Sequence, residues 1–507
     1  MRMSRGVIWV AALAAMAAHA EPEAGRPVER TSRPLSLQRR IGALLAAKPA
    51  RDAHWGIHVV ELKTGRVVYE HNAGGRFAPA SNMKLFTTAL ALSRLGKDYR
   101  FVTTVRADQN PDGEGRIEGD LRLVGGADPT FSGRAYPYRK DDDAPNPLEP
   151  VEALCNAILD RGVRVISGDV VGDDRLFPYD PYPEGWTVDD SIWEYGAPVS
   201  ALVFNDNAFT LAVRPGAGEG LPARVMLSPP AIPLVIDNQV TTVGDGSVSD
   251  VQVKRLAGSR EVRITGQLRL RSKGVRQLLA VNDPALYAAY VLHDELTRRG
   301  VRIDGVPVAR HRWSPEEPFD RKEGVELARR ESPPLSEVAR VVDKVSQNLH
   351  AEILLREVAR VREKDATREA GLKEMKEFLD EIGVPVDAYH FEDGSGLSRR
   401  TLVTPAAVTR LLVYMDGREH DGWDRMLPVG GEDGTLESRF EKARLASAIH
   451  AKTGTLSTAS ALSGYVTTRR KARLAFSIIA NGYTMRSSEV RRVIDRIGLA
   501  LIDWEGN

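Results

Sequence analysis

Apolar residues recur every three or four positions in several segments of the chain, which is the spacing of a helix with one buried face. The clearest case begins after Ser81, where apolar residues at positions 85, 86, 89 and 90 predict a buried helix that ends near Gly96. The same spacing predicts helices over residues 37–47, 150–161, 283–299, 335–344, 348–362, 366–381, 405–415 and 487–503.

Other stretches alternate apolar and polar residues, as half-buried strands do. Residues 55–60 and 66–69 predict a hairpin whose turn is Lys63-Thr64-Gly65. Short alternating segments dominate the region between residues 99 and 281, and two more lie near the chain's end: 101–106, 121–124, 163–171, 204–213, 251–256, 262–270, 462–468 and 474–480. This order predicts an α+β domain whose sheet is closed by both chain ends and whose middle is interrupted by β-rich material.

The start of the chain resembles an export signal. Arg2 and Arg5 precede an apolar run, and Ala18-His19-Ala20 supplies the small residues of a cleavage site. A membrane anchor is the alternative, but the run is short and rich in alanine, so we expect at most peripheral membrane association. We expect a signal peptide over residues 1–20, a polar leader over 21–34, a catalytic domain formed by 35–98 plus 282–507, and two β-rich domains, one nested in the other, inserted over 99–281.

Composition excludes some classes of function. The chain has 70 basic and 69 acidic residues, a balance that argues against a nucleic-acid partner. Cys155 is the only cysteine, so no intrachain disulfide can form. Because Val151, Leu154 and Ile158 share its helical face, we expect Cys155 to be a buried structural thiol.

Three short elements carry candidate chemistry. Ser81-x-x-Lys84 places a hydroxyl and an amine one helical turn apart, as a serine nucleophile with a lysine base requires, although a capping serine and a solvated lysine would show the same pattern. Ser346-Gln347-Asn348 precedes a predicted helix. Lys452-Thr453-Gly454 precedes the last strands, whereas the similar Lys63-Thr64-Gly65 is explained by its hairpin turn.

In this order the three elements resemble those of the low-molecular-mass class C penicillin-binding proteins, the D-alanyl-D-alanine carboxypeptidase/endopeptidase family of peptidase S13 (penicillin-binding protein 4 type). The resemblance covers nearly the whole chain after its first residues and includes the runs 123–129, 168–173, 393–398 and 427–436. The long interval between Ser81 and Ser346 is similar to that of the family, whose inserted domains lie there. The resemblance implies a penicillin-recognising serine transpeptidase-like (β-lactamase-like) fold, split by two inserted β-rich domains.

The resemblance also implies roles for the residues of these motifs. Ser81 would attack a D-Ala-D-Ala peptide bond and Lys84 would act as its base, neutral because it is buried beside a second cation, Lys452. Ser346 would pass a proton to the leaving amine, and Asn348 would hold Lys84 or the substrate amide.

Other roles concern substrate binding. Lys452 and Thr453 would bind the terminal carboxylate, Gly454 would let the strand approach closely, and the backbone N–H groups of Ser81 and Thr455 would form the oxyanion hole. In similar proteins, positions such as Asp173, Phe177 and Arg399 line a pocket for a side chain of the stem peptide. A turn aspartate and a solvated arginine explain Asp173 and Arg399 equally well.

No metal or cofactor is expected. His54 and His58 fall on a predicted strand, where residues four apart stand roughly 13 Å from each other, too far to share an ion. The run 393–396 contains glycines but lacks a phosphate-loop lysine, so a structural turn is expected there. His450, two residues before Lys452, is expected to be an ordinary strand residue.

The function expected from these observations is an exported, periplasmic serine D-Ala-D-Ala carboxypeptidase or DD-endopeptidase that acts on peptidoglycan stem peptides and binds β-lactam antibiotics covalently. Two alternatives stay open: a β-lactamase or esterase on the same scaffold, and a wall-binding or β-lactam-sensing protein without turnover. The sequence leaves the balance of the two peptidase activities, the diamino acid of the stem peptide and the oligomeric state undetermined.

Overall fold

The computed structural model describes residues 36–140, 146–256, 258–417, 422–440, 443 and 445–506. The expected signal peptide and leader lie outside these residues. The helices of the described part are α1 (Leu37–Ala46), α2 (Met83–Leu95), α3 (Glu149–Asp160), α4 (Pro284–Arg298), α5 (Leu335–Lys344), α6 (Asn348–Glu363), α7 (Arg368–Glu381), α8 (Pro405–Asp416), α9 (Trp423–Met426) and α10 (Ser487–Ile502).

The strands alternate with these helices at both ends of the chain and follow one another in its middle. They are β1 (His54–Glu61), β2 (Val67–His71), β3 (Val102–Ala107), β4 (Arg116–Ile117), β5 (Leu121–Val124), β6 (Val165–Ile166), β7 (Val170–Pro178), β8 (Ala208–Arg214), β9 (Arg224–Ser228), β10 (Val235–Val243), β11 (Asp250–Lys254), β12 (Glu261–Arg269), β13 (Val275–Ala280), β14 (Arg302–Ile303), β15 (Pro307–Arg312), β16 (Val325–Glu331), β17 (Tyr389–His390), β18 (Leu402–Val403), β19 (Ile449–Leu456), β20 (Ala459–Thr467) and β21 (Arg473–Asn481).

Local side-chain chemistry begins several of the helices. Asp283 accepts a hydrogen bond from the N–H of Leu286 at the start of α4, and Thr367 and Thr404 cap α7 and α8 in the same way. Proline occupies the first turn of α4 and of α8, where its missing N–H has no partner to lose. The sequence therefore places these helix starts by capping as well as by apolar spacing.

The sheet that carries the C-terminal motif joins both chain ends, as expected. Its strand order is β19-β20-β21-β1-β2, and all neighbours are antiparallel. Adjacent residues point to opposite faces, so that Leu462 packs with α1 and α10 on one side, whereas Ala461 packs with the helices around α2 on the other. The inner strands β20 and β21 are buried on both faces along almost their whole length.

A second five-stranded sheet crosses the expected end of the insertion. Its order is β15-β7-β5-β3-β16, so β15 and β16 pair with strands that precede them by more than a hundred residues. Residues up to Glu331 therefore share a sheet with the inserted region, and the border expected at residue 281 stays a prediction. The local pattern missed this because strand partners are chosen by tertiary packing, not by neighbouring residues.

The remaining larger sheets of the insertion have the orders β13-β8-β9 and β10-β12-β11. They share one hydrophobic core with α3, α4 and the second five-stranded sheet. Residues from Leu37 to Asn507 form a single unit by their contacts, so the number and nesting of inserted domains stay a prediction.

Two strands expected from the pattern are interrupted. The segment 163–171 breaks between β6 and β7 at Gly168, where a Cβ atom would lie 2.5 Å from Asp120 Oδ1 and 2.6 Å from the carbonyl oxygen of Gly119. The segment 204–213 begins with a 3₁₀ turn, Asn205–Asn207, whose residues all have positive φ. Asparagine and aspartate tolerate that conformation, which extended strand residues do not adopt.

The expectations for the hairpin turn and for the cysteine are confirmed. Lys63-Thr64-Gly65 lies in the turn between β1 and β2, and Gly65 has a φ of 70°. Cys155 is fully buried in α3, and its burial raises the pKa of the thiol to about 12. Across the residues that the structure describes, none of the helices combines the length and apolar character needed to span a bilayer.

Candidate active site

The candidate nucleophile stands where one helix begins. Ser81 lies in a 3₁₀ turn, Ala80–Asn82, that leads directly into α2. Lys84 follows one turn later, is fully buried, and its Nζ lies 3.0 Å from Ser81 Oγ. The pairing of Ser81 with Lys84 therefore exists in the fold, and the alternative of a solvated lysine is excluded.

Two distant segments fix the position of Lys84. Its Nζ donates to Asn348 Oδ1 at 2.5 Å and to the backbone carbonyl of Ser395 at 2.8 Å. Gly396 brings the turn that contains Ser395 against the nucleophile: it has a φ of 77°, and a Cβ there would lie 1.9 Å from the carbonyl oxygen of Ala80. The run 393–396 is thus a structural turn, as expected, and it also orients the lysine.

The second motif occupies the connection between α5 and α6. Ser346 has a φ of 66°, unusual for serine, and its Oγ accepts a hydrogen bond from Lys452 Nζ at 2.8 Å. Gln347 caps α6 by accepting from the N–H of Leu349 at 2.9 Å, which gives this middle residue a structural role. Asn348 donates from Nδ2 to the carbonyl of Tyr195 at 2.6 Å, so the inserted region contacts the site directly.

The third motif lies on β19, the edge strand of the first sheet, beside the nucleophile. A Cβ atom on Gly454 would lie 2.5 Å from the carbonyl oxygen of Pro79 and 3.2 Å from the amide nitrogen of Ser81. Asn82 Nδ2 donates to the carbonyl of Lys452 at 2.9 Å and joins the strand to the turn. Only glycine permits this approach, which brings the exposed Thr455 beside the turn that holds Ser81.

Burial lowers the pKa values of the two lysines, and at Lys84 the charge of Lys452 adds to the effect. Burial, with Lys452 nearby, holds the pKa of Lys84 well below its ordinary value, against the opposing effect of Asp393, Glu352 and Asp343. Burial lowers the pKa of Lys452 to about 8, and Asp343 opposes this shift. The site therefore favours a neutral amine beside Ser81.

Buried carboxylates lie behind the two lysines. Asp343 accepts a hydrogen bond from Thr88 Oγ1 at 3.1 Å, and burial raises its pKa to about 7. Glu352 accepts from the backbone N–H groups of Gly394 and Ser395, and burial together with Asp393 raises its pKa to about 7. Glu352 therefore holds the 393–396 turn, and the charges of both acids act on the nearby lysines.

Several contacts of the site were not expected from the sequence: those of Tyr195, Ser395, Glu352, Asp343 and Thr435. Thr435 accepts a hydrogen bond from Thr453 Oγ1 at 2.8 Å. Ser395 and Thr435 fall in runs that the resemblance had already singled out, and the two acids are charged residues on otherwise apolar helix faces. Nothing in the sequence marks the backbone carbonyl of Tyr195.

The three residues expected to line a side-chain pocket lie in different surroundings. Asp173 is buried in an ion pair with Arg175 at 2.7 Å, and Phe177 is buried in the core. Neither residue belongs to the segment around Tyr195 that contacts Asn348, so their positions do not support direct contact with substrate. Arg399 is partly exposed and forms an ion pair with Asp190. Both residues lie close enough to Tyr195 to influence the pKa of its hydroxyl, which Asp190 raises and Arg399 lowers.

The histidines behave as expected for structural residues. His54 and His58 lie on β1, where His58 Nδ1 is 2.6 Å from Thr409 Oγ1, and His450 Nδ1 is 3.2 Å from the carbonyl of Asp424. The acidic group that could hold an ion among the described residues is Glu363, Glu374 and Glu377, and it contains no residue of the three motifs.

Comparisons with known proteins agree with this arrangement. A D-alanyl-D-alanine carboxypeptidase of Actinomadura sp. (strain R39) is 33% identical over 93% of this chain and 85% of its own length. The D-alanyl-D-alanine carboxypeptidase DacB of Haemophilus influenzae is 24% identical over 87% of this chain and 88% of its own.

The crystal structure of penicillin binding protein 4 from Haemophilus influenzae shares the fold, with a TM-score of 0.78, 23% identity, and coverage of 91% of this chain and 99% of that one. The model of the D-Ala-D-Ala carboxypeptidase 3 (S13) family matches residues 37–501. The penicillin-recognising fold expected from the sequence is thereby confirmed, and the chain belongs to the S13 family of D-Ala-D-Ala carboxypeptidases.

Proposed function

We propose that this protein is a serine DD-peptidase that cleaves the D-alanyl-D-alanine bond of peptidoglycan stem peptides through an acyl-enzyme on Ser81. One observation carries the proposal: Lys84 Nζ lies within hydrogen-bond distance of both Ser81 Oγ and Asn348 Oδ1, while Lys452 Nζ contacts Ser346 Oγ. The hydroxyl of Ser81, the amines of Lys84 and Lys452, and the hydroxyl of Ser346 together provide a route for the proton in both halves of the reaction.

In the first half, Ser81 Oγ attacks the carbonyl carbon of the penultimate D-alanine and its proton passes to neutral Lys84. The C–N bond then breaks, and Ser346 gives its proton to the departing amine and recovers one from Lys452, which the proton held by Lys84 replaces, so that Lys84 is neutral again. In the second half, neutral Lys84 takes a proton from a water molecule, whose oxygen attacks the ester carbon. The C–O bond to Ser81 then breaks, and Ser81 Oγ regains its proton from Lys84.

Substrate orientation depends on β19. The ammonium group of Lys452 and the hydroxyl of Thr453 provide a positive, hydrogen-bonding end for the terminal carboxylate. The N–H groups of Ser81 and Thr455 would bind the developing oxyanion, which the close approach of Gly454 to Ser81 supports.

The side chain of the stem peptide's third residue would reach the Arg399–Asp190 pair. This pair offers both signs of charge beside Tyr195, whose carbonyl is bonded to Asn348. A diamino acid that ends in an ammonium and a carboxylate matches such a pair. We therefore keep Arg399 as a substrate-binding residue and assign Asp190 and Tyr195 the role first expected for Asp173 and Phe177.

The proposed location of the protein beside the cell wall is based on the sequence at the start of the chain. A basic segment, an apolar run and a small-residue site support export and cleavage near Ala20, with the periplasm as destination. β-Lactams would acylate Ser81 because their ring carbonyl and carboxylate present the features that the site binds in the peptide. No nucleic-acid partner is proposed.

Two measurements test the proposal. Labelling by a fluorescent penicillin should be lost in Ser81→Ala and kept in Ser93→Ala, because Ser93 lies near the end of α2, outside the motif. The unaltered protein should also release D-alanine from a pentapeptide. Labelling that persists in Ser81→Ala would refute the assigned nucleophile; labelling without D-alanine release would identify a sensor or a β-lactamase instead.

A further inference from the structure

A cavity of about 430 Å³ adjoins the second motif on the side of the inserted region. One of its walls is the segment Ser346–Asn348, two residues of which contact the catalytic lysines. The opposite wall is formed by the sheet β13-β8-β9. Neither the motifs nor the proposed chemistry at Ser81 accounts for a cavity in this place.

The sheet presents one of its faces to this cavity. Thr210 lies opposite both Leu278 and Ser228, and all three line the cavity, as does Arg276 two positions before Leu278. The residues that alternate with them, such as Phe209, are buried in the core of the insertion. Strand alternation therefore fixes Arg276 and Leu278 on the open face.

The charges in the cavity are incompletely paired. Arg134 forms an ion pair with Asp206 at 2.5 Å. The Arg276 guanidinium, by contrast, contacts only the hydroxyl of Thr210, at 3.4 Å, and has no carboxylate partner in the described part of the chain. Glu194, on the other side of the same cavity, likewise has no basic partner among those residues. The cavity thus offers an available cation and an available anion.

The cavity extends beyond the first chamber. A second cavity of about 280 Å³ shares Arg134, Asn205, Asp206 and Val345 with the first. Together they exceed what one departing alanine needs and fall in the size range of sites that bind whole ligands.

The position of Ser346 connects this space with the reaction. In the proposed mechanism Ser346 protonates the leaving amine, so the leaving group departs past the segment that forms the cavity wall. We infer that the cavity is a binding subsite for the leaving strand of a cross-linked substrate, with Arg276 holding a carboxylate of that second stem peptide and Glu194 accepting from its amine or amide groups. This inference rests on the proposed DD-peptidase function and adds a residue-level basis for cleavage of cross-links.

The experiment compares two substrates with one protein. A purified cross-linked muropeptide dimer and a monomeric pentapeptide are each digested, and kcat/KM is measured by mass analysis of the products. In Arg276→Ala, the ratio of kcat/KM for the dimer to that for the pentapeptide should fall about ten- to a hundredfold, the usual effect of losing a hydrogen bond to a charged group. Arg276→Lys should restore part of the ratio, and Arg276→Glu should lower it further.

Arg224→Ala is the matched control, because Arg224 is an exposed arginine on β9 of the same sheet and does not line the cavity. Its ratio should equal that of the unaltered protein. Penicillin labelling and D-alanine release could be normal while the dimer is not cleaved, or is cleaved equally well by Arg276→Ala and the unaltered protein. Either result would refute the subsite and leave the proposed function standing. If labelling and D-alanine release both fail, the proposed function itself is refuted.

Discussion

Two buried clusters of titratable groups in this protein have opposite electrostatic properties. In the proposed catalytic cluster, Lys84 and Lys452 are both fully buried near each other, and the pKa values of both are lowered. In the inserted region, His311 lies between Asp174, at 2.9 Å, and Asp283, at 3.4 Å, and its pKa is raised to about 10.

The difference lies in the partners. Burial lowers the pKa of His311 too, but hydrogen bonds to two carboxylates outweigh it, and Ser200 satisfies the other oxygen of Asp174 at 2.9 Å. The lysines are bonded instead to hydroxyl, amide and carbonyl oxygens, which carry no full charge. A buried cation paired with carboxylates holds its proton, whereas one bonded to neutral groups releases it readily.

This comparison separates a structural cluster from a reactive one. The groups around His311 join β7, β15 and the start of α4, so their pairing stabilises the insertion. Lys84 and Lys452, the proposed catalytic lysines, are held at a cost in desolvation, which is consistent with selection for proton transfer and not for stability.

The largest effect is expected for Lys84→Met. Without the base, the second-order rate of acylation by a penicillin should fall about 10²- to 10⁴-fold, the usual contribution of a positioned proton acceptor. The thermal midpoint should not fall in proportion, because a buried amine is replaced by an apolar chain of similar length. Stopped-flow acylation and thermal unfolding of the same samples provide the measurements; a near-normal acylation rate would show that another group removes the proton.

A smaller effect is expected for Asp343→Asn, observed through the pH profile. The charged form of Lys452 should bind the substrate carboxylate, so kcat/KM should decline as the pH rises through about 8. Asp343 raises the pKa of Lys452, and its removal should move this decline to lower pH, with a rate up to about tenfold lower above pH 8.

The acidic part of the pH profile of Asp343→Asn serves as an internal control. Asp343 has a raised pKa of about 7 and is increasingly protonated below that pH, so the two profiles should converge in mildly acidic solution. Profiles of kcat/KM for D-alanine release between pH 5 and 10 test this. Parallel curves over the whole range would show that Asp343 does not act through the charge of Lys452.

The smallest effect on acylation is expected for His311→Gln, which should leave the rate unchanged and lower stability. The folded pKa of His311, about 10, exceeds its ordinary value of 6.5, so its contribution is complete below pH 6.5 and is lost as the pH rises towards 10. Breaking this buried cluster should cost roughly 3 kcal/mol at pH 6 and much less at pH 10.

Urea unfolding at both pH values measures the free energy of unfolding. His390→Gln is the control, because His390 pairs with Glu392 at a largely exposed site and should show a much smaller change. A loss of stability that is the same at pH 6 and pH 10 would refute the role assigned to the protonated His311.

Short-range patterns determined much of this protein. Apolar spacing placed α2, α5 and α6 within one or two residues, and glycine placed the hairpin turn at Gly65. The three motifs could be predicted because each is local: its residues lie within one turn or one strand end and keep their spacing in any fold that contains them.

Only the tertiary structure decided how these local pieces meet and what charges they carry. β16 pairs with β3, which precedes it by more than two hundred residues, and the orientation of Lys84 depends on the carbonyl of Ser395, more than three hundred residues away. Asp173 and Arg399 are both charged side chains, and the sequence does not distinguish their surroundings. Folding buried Asp173 beside Arg175 and left Arg399 partly exposed beside Asp190. Desolvation and pairing arise from residues that are distant along the chain, and so the reactivity of a lysine is fixed only when the chain has folded around it.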